Sequence, residues 1–142
     1  MERIFIILIS LFLFVISLTG CTNYYHYDFE KLNDSVKHIY IVEVQRNEYY
    51  GEISIDYLME VEEDVDNFIN ELESLDFRSS ILLSPENNTG VNIMLVCDSE
   101  EYDYVIVGLN GIEEFKNNKQ TYLYNALCNK DAFDEILNKY YK

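Results

Sequence analysis

Two histidines, three cysteines and 26 carboxylates are the residues of this 142-residue chain whose types suit chemistry. Acyl transfer through a Ser, Thr or Cys nucleophile needs a positioned base to take its proton. His26 lies in an aperiodic N-terminal stretch, and His38 opens a β-branched run where it reads as a strand-edge residue. Carboxylate groups such as Glu62/Asp66 and Asp98/Glu100/Asp103 have the residue types of a glycosidase. That reaction needs two acids facing each other across a deep cleft, for which a domain this small has little room. Both groups read instead as solvated acidic faces. Asp64-Val65-Asp66-Asn67 spaces oxygen ligands as a calcium loop begins, yet the sixth position is Ile69 where the sharp turn needs glycine. No zinc spacing, phosphate-cradling glycine loop or dinucleotide fingerprint is present. The expectation is a chain without catalytic residues, cofactor or metal.

Cys21 is the cysteine with a chemical context. Met1-Glu2-Arg3 precedes an apolar run from Ile4 to Leu18, 15 residues interrupted only by Ser10 and Ser17. As a helix rising ~1.5 Å per residue it would span ~22 Å, short of the ~30 Å core of a bilayer. The run has the length of a signal-peptide core. It closes on Leu18-Thr19-Gly20-Cys21, an aliphatic residue, two small ones and a cysteine. This resembles the lipobox of bacterial lipoproteins. The resemblance implies diacylglyceryl transfer to the Cys21 sulfur, cleavage after Gly20, and a mature protein lipid-anchored on the extracytoplasmic side of the cell membrane. It covers the leader only, and the leader carries one basic side chain, Arg3, where two or more are usual. Each buried methylene contributes ~0.8 kcal/mol, so two acyl chains hold where one anchors only marginally.

Loss of residues 1–20 leaves 122 residues, one small domain, with 9 basic and 25 acidic side chains and a net charge still of −16. Nucleic acid and anionic lipid headgroups are poor partners for such a surface. A basic protein or peptide would be steered toward it. The thirteen tyrosines with no tryptophan suggest a ligand surface, but Ile, Asn, Lys, Phe and Tyr are abundant together, as in AT-rich coding sequence. Cys97 and Cys128 lie where a disulfide is permitted. A bridge would close a loop of about 30 residues and add ~3 kcal/mol, if their Cα atoms come within ~7 Å. A buried free thiol at Cys97 is the rival reading.

The elements that would position these groups follow from periodicity. Residues 21–35 show none and read as a tether, leaving 36–142 as the domain. Tyr40, Val42 and Val44 alternate with Ile39 and Ile41, which predicts a strand covered on both faces for part of its length. A hairpin loop through Arg46–Gly51 leads to a second strand at Ile53, Ile55 and Tyr57. Val61, Val65, Phe68, Ile69, Leu72 and Leu75 fall at helical spacing, with Glu62, Glu63, Asp66, Glu71 and Glu73 on the opposite face. Asp76–Thr89 reads as a loop. Runs at Val91–Cys97, Tyr102–Val107, Ile112–Phe115 and Thr121–Ala126 predict further strands. Asn129 or Asp131 is placed to cap a last helix with Phe133, Ile136, Leu137 and Tyr140 on one stripe. The fold class is α+β: one antiparallel sheet of about five to six strands with two helices on one face.

Leader and element order together resemble small lipoproteins of Gram-positive bacteria, a likeness that transfers no functional residue. The function expected is a membrane-anchored, non-enzymatic binding module. The alternative is an acidic immunity or inhibitor protein whose Glu62, Glu63, Asp66, Glu71 and Glu73 face neutralises a basic enzyme or toxin.

Overall fold

Alternating apolar side chains along the first long strand decide the architecture, because they send a hydrophobic set to each face of the sheet. The computed structural model describes residues 23–25, 27–47, 52–79, 87–125 and 129–141. Eight strands are present among them: β1 (Asn23–Tyr25), β2 (Val36–Arg46), β3 (Ile53–Glu60), β4 (Phe77–Ser79), β5 (Gly90–Cys97), β6 (Tyr104–Gly108), β7 (Gly111–Lys116) and β8 (Lys119–Asn125). Helix α1 (Val65–Leu72) lies between β3 and β4, and α2 (Lys130–Tyr140) follows β8. Six strands form one antiparallel sheet in the order β3-β2-β5-β6-β7-β8. The α+β class and single main sheet match the sequence expectation.

The meander is set by its turns. Asn117 and Asn118 join β7 to β8 with φ of 52° and 59°. A two-residue hairpin whose twist matches the strands needs both central residues at positive φ, which Asn tolerates best among non-glycine residues. Leu109 and Asn110 make the other two-residue connection, between the paired Gly108 and Gly111.

Both helices cover one face. Ile39 and Ile41 of β2, Ile93 and Leu95 of β5, Val105 and Val107 of β6 and Ile112 of β7 form one core with Phe68, Ile69 and Leu72 of α1 and Phe133 and Ile136 of α2. Full burial of such a side chain contributes ~1.5–3 kcal/mol. Phe68 and Tyr140 meet at 5.0 Å between ring centres, locking the two helices together. A second, smaller core on the other face holds Val42, Val44, Met94, Ile106 and Phe115, and neither helix contributes to it.

Three boundaries differ from those expected. The stretch 21–35, expected as a tether, joins the domain from Tyr27 onward: Tyr27, Phe29 and Leu32 are buried in the main core. Tyr27 also donates its hydroxyl to Glu114 at 2.6 Å. Two aromatics and a leucine at 27, 29 and 32 lack a strand or helix period, which is why burial was not evident. Helix α1 is shorter than the 61–75 stripe. Val61 N–H donates to Ile39 carbonyl at 2.8 Å and so extends the sheet edge. Asp64 then caps the helix, accepting from the Asp66 and Asn67 amides at 3.1 and 3.3 Å. The expected 76–89 loop begins as β4, which pairs with β1 in a separate two-stranded ribbon. Asn129 occupies the N-cap position of α2 without capping it. Its side chain instead donates to Ser74 carbonyl at 2.7 Å and accepts from Asp76 N–H at 2.9 Å.

Candidate functional site

Among the described residues, the sheet face opposite α1 and α2 carries an open surface suited to binding. Register pairs Val42 with Tyr57, Val44 with Ile55 and Arg46 with Ile53, so β2 and β3 present these side chains abreast. Over the buried second core lie half-buried Tyr40, Ile53, Ile55, Val96 and Tyr104. An open groove of about 560 Å³ is lined by Glu52, Ile53, Ile55, Tyr57, Tyr104 and Asn118. Tyr57 on β3 and Tyr104 on β6 are three strand spacings apart in the sheet order, on the order of 14 Å.

Aromatic contacts shape both walls. Tyr40 meets Tyr57 edge to face at 5.0 Å, and His38 stacks on Tyr40 at 5.9 Å. Tyr104 stacks on Phe115 at 4.7 Å. Such pairs add about 0.5–1.5 kcal/mol beyond area burial and stiffen the rings. Burial pushes the Tyr40 and Tyr104 hydroxyls above their ordinary range, with Glu60 adding to the effect at Tyr40. Both therefore remain neutral at physiological pH. Tyr57 is 61% exposed, a large aromatic surface offered to solvent.

A buried polar cluster closes one end of this face. Glu113, fully buried, forms an ion pair with Arg46. It also accepts from Asn88 N–H at 2.9 Å and from the Gln120 amide at 2.6 Å. Arg46 Nε donates to Asn88 carbonyl at 3.1 Å. The Asn88 side chain donates to Gly111 carbonyl and accepts from Asn110 N–H, both at 2.9 Å. Gly108 makes the close packing possible, since a Cβ there would fall 1.9 Å from Asn92 Oδ1 and 2.4 Å from Asn88 Oδ1. With its carboxylate fully engaged, Glu113 is suited to pinning β2, β7 and residues 87–88 together. Sequence reasoning missed this cluster, because Glu113 follows Ile112 in a short run and looks like an outward strand position. The signal available was the Asn87-Asn88 pair together with Gly108-Leu109-Asn110-Gly111.

The residues singled out from sequence do not converge. Glu62 and Glu63 precede α1, and they and Asp66 are exposed. Glu71, partly exposed, accepts from Lys139 and, at 2.8 Å, from the Tyr140 hydroxyl. The Glu71 contact holds the Lys139 ammonium above its ordinary pKa. Glu73 accepts from Glu30 N–H at 3.0 Å. Only Asp66 and Glu71 of the expected five acids lie on the helix itself; Glu62, Glu63 and Asp66 are exposed, while Glu71 and Glu73 have partners within the domain. His38 sits at the strand edge with its Nδ1 2.8 Å from Glu60, both half-exposed. Asp103 accepts from Lys116 Nζ at 2.8 Å and Asn117 N–H at 2.7 Å, which holds its carboxyl below the usual carboxylate range. Cys97 is a half-buried free thiol pushed by burial up to about 11. Cys128, its expected bridging partner, lies outside the described residues, as do Cys21 and His26. Among the described residues no three His, Cys, Asp or Glu side chains are grouped to hold a metal ion. No helix among them is long and apolar enough to cross a membrane.

Comparison with known protein families, with characterised proteins and with solved structures returns no match for this chain.

Proposed function

We propose that this chain is a lipid-anchored, extracytoplasmic binding module without catalytic activity, held by a diacylglyceryl group on Cys21. The groove on the sheet face opposite α1 and α2 is its binding surface. The observation that carries this reading is the exposed ring of Tyr57, 61% accessible beside half-buried Ile53, Ile55 and Tyr104. Exposed aromatics on a rigid strand are low-entropy contact area, the kind enriched where proteins bind partners. A net charge of −16 favours a cationic partner. The narrower reading, neutralisation of a basic enzyme or toxin, draws on exposed Glu62, Glu63 and Asp66.

A photo-crosslinking amino acid placed at Tyr57, and separately at exposed Glu135 on α2, tests the reading in intact bacterial cells. A discrete adduct from position 57 alone supports the groove. Equal adducts from both positions, or none, overturn it. Membrane fractionation of Cys21→Ala tests the anchor: release of the variant is expected, and unchanged membrane association refutes lipidation.

A further inference from the structure

We infer that the outer edge of β3 accepts an extended cationic peptide segment as an additional strand of the sheet. This rests on the binding-module reading above and specifies its mode of recognition. Among the described residues β3 is a terminal strand, hydrogen-bonded only to β2. Its outward N–H and C=O groups form a row without strand partners, a template for another chain. The opposite edge differs, because β4 of the small ribbon lies beside β8.

Natural sheets blunt open edges with lysine, proline, short length or a bulge. β3 is eight residues long, Ile53-Ser54-Ile55-Asp56-Tyr57-Leu58-Met59-Glu60, with neither lysine nor proline. Pairing with β2 skips Leu58, a bulge that leaves Ile53–Tyr57 as a regular run of about 17 Å. Tyr57 and Leu58, 61% and 37% exposed, are two of the large exposed apolar side chains, and both stand on this strand.

Charge selects the occupant. Glu52, Asp56, Glu60, Glu62 and Glu63 line the strand and its ends, all exposed, and β3 contains no cation. His38 is the basic group against Glu60, and the nearby Arg46 is engaged by Glu113. A second copy pairing antiparallel through β3 would set Asp56, Glu52 and Glu60 against their own kind, which is destabilising. A peptide alternating basic and apolar residues matches instead. Its basic residues meet Asp56 on one face, and its apolar residues meet Ile53, Ile55 and Tyr57 on the other.

The test is amide hydrogen exchange on the full chain in non-ionic detergent, with a capped seven-residue peptide alternating lysine and valine. New protection confined to the outward amides of residues 53–57 is expected. It should weaken as salt rises from 20 to 500 mM, values set by the experiment to span the screening range. Asp56→Lys and Tyr57→Lys should each weaken binding at least about tenfold, while unchanged protection of Ile93 and Leu95 shows the variants folded. Equal protection by a glutamate-for-lysine peptide, protection elsewhere, or none overturns the inference. Concentration-dependent protection without peptide overturns it in favour of self-pairing. An adduct at Tyr57 in cells without peptide protection sinks this inference alone, and absence of both sinks the binding-module reading as well.

Discussion

Replacing Gly108 by alanine should destabilise the domain far more than a single methyl suggests. The new Cβ would sit 1.9 Å from Asn92 Oδ1, 2.4 Å from Asn88 Oδ1 and 2.7 Å from Asn88 Cγ. Both asparagines are buried, so neither side chain can swing into solvent. Moving Asn88 breaks its contacts to Gly111 and Asn110. Two lost hydrogen bonds contribute about 1–3 kcal/mol together, and overpacking a filled site costs about 1–3 kcal/mol more. A total of roughly 2–6 kcal/mol lowers the Tm of a domain this size by roughly 6–25 °C. Urea and thermal unfolding followed by circular dichroism measure it directly. Among the described residues Asn92 Oδ1 has no hydrogen-bond partner, so Asn92→Ala in the Gly108→Ala background should recover part of the loss. A Tm drop of less than about 3 °C in the single variant would refute the packing argument.

Arg46→Met strands the Glu113 carboxylate in the interior with only Asn88 and Gln120 for partners, and should cost about 3 kcal/mol in urea unfolding. An unchanged midpoint would mean the ion pair is energetically idle. Cys97, with its pKa pushed up to about 11 from 9.0, should alkylate about a hundredfold more slowly at pH 8 in the native state than after denaturation. Peptide mapping of iodoacetamide adducts reads this out, and equal rates would contradict the burial. Asp103 has a depressed folded-state pKa, so its contribution to stability is present above the ordinary carboxylate range and is lost as pH falls through the folded value. The Tm difference between wild type and Asp103→Asn should therefore shrink on acidification below about pH 4, and a constant difference from pH 7 to pH 2 would discount the Lys116 and Asn117 contacts.

Where side chains alternate or recur every third and fourth residue, the chain announced its own structure. Ile39 through Val44, Val91 through Cys97 and the Phe133/Ile136 stripe fall where their periods place them. The ends of α1 were obscured because Val61 and Leu75 continue the helical stripe by chance of spacing. One is buried at the sheet edge and the other beyond the C-cap. Segment 27–32 was illegible for the opposite reason: three buried residues without a period look like any polar stretch with aromatics in it. Tyr57 was legible as a strand residue but not as a site, since only strand order reveals that β3 is terminal. Glu113 needed tertiary structure outright, because its partners come from residues 46, 88 and 120.

Tyr27 is buried and β1 pairs from Asn23 onward, two positions after Cys21 in the sequence. If Cys21 carries the proposed lipid, two residues of chain reach at most ~7 Å, which would hold the domain close to the membrane. Free tumbling would be lost, and the ribbon corner beside β8 would face the bilayer. The β3 edge, five strand spacings or roughly 24 Å across the sheet, would then point outward, toward whatever approaches the cell.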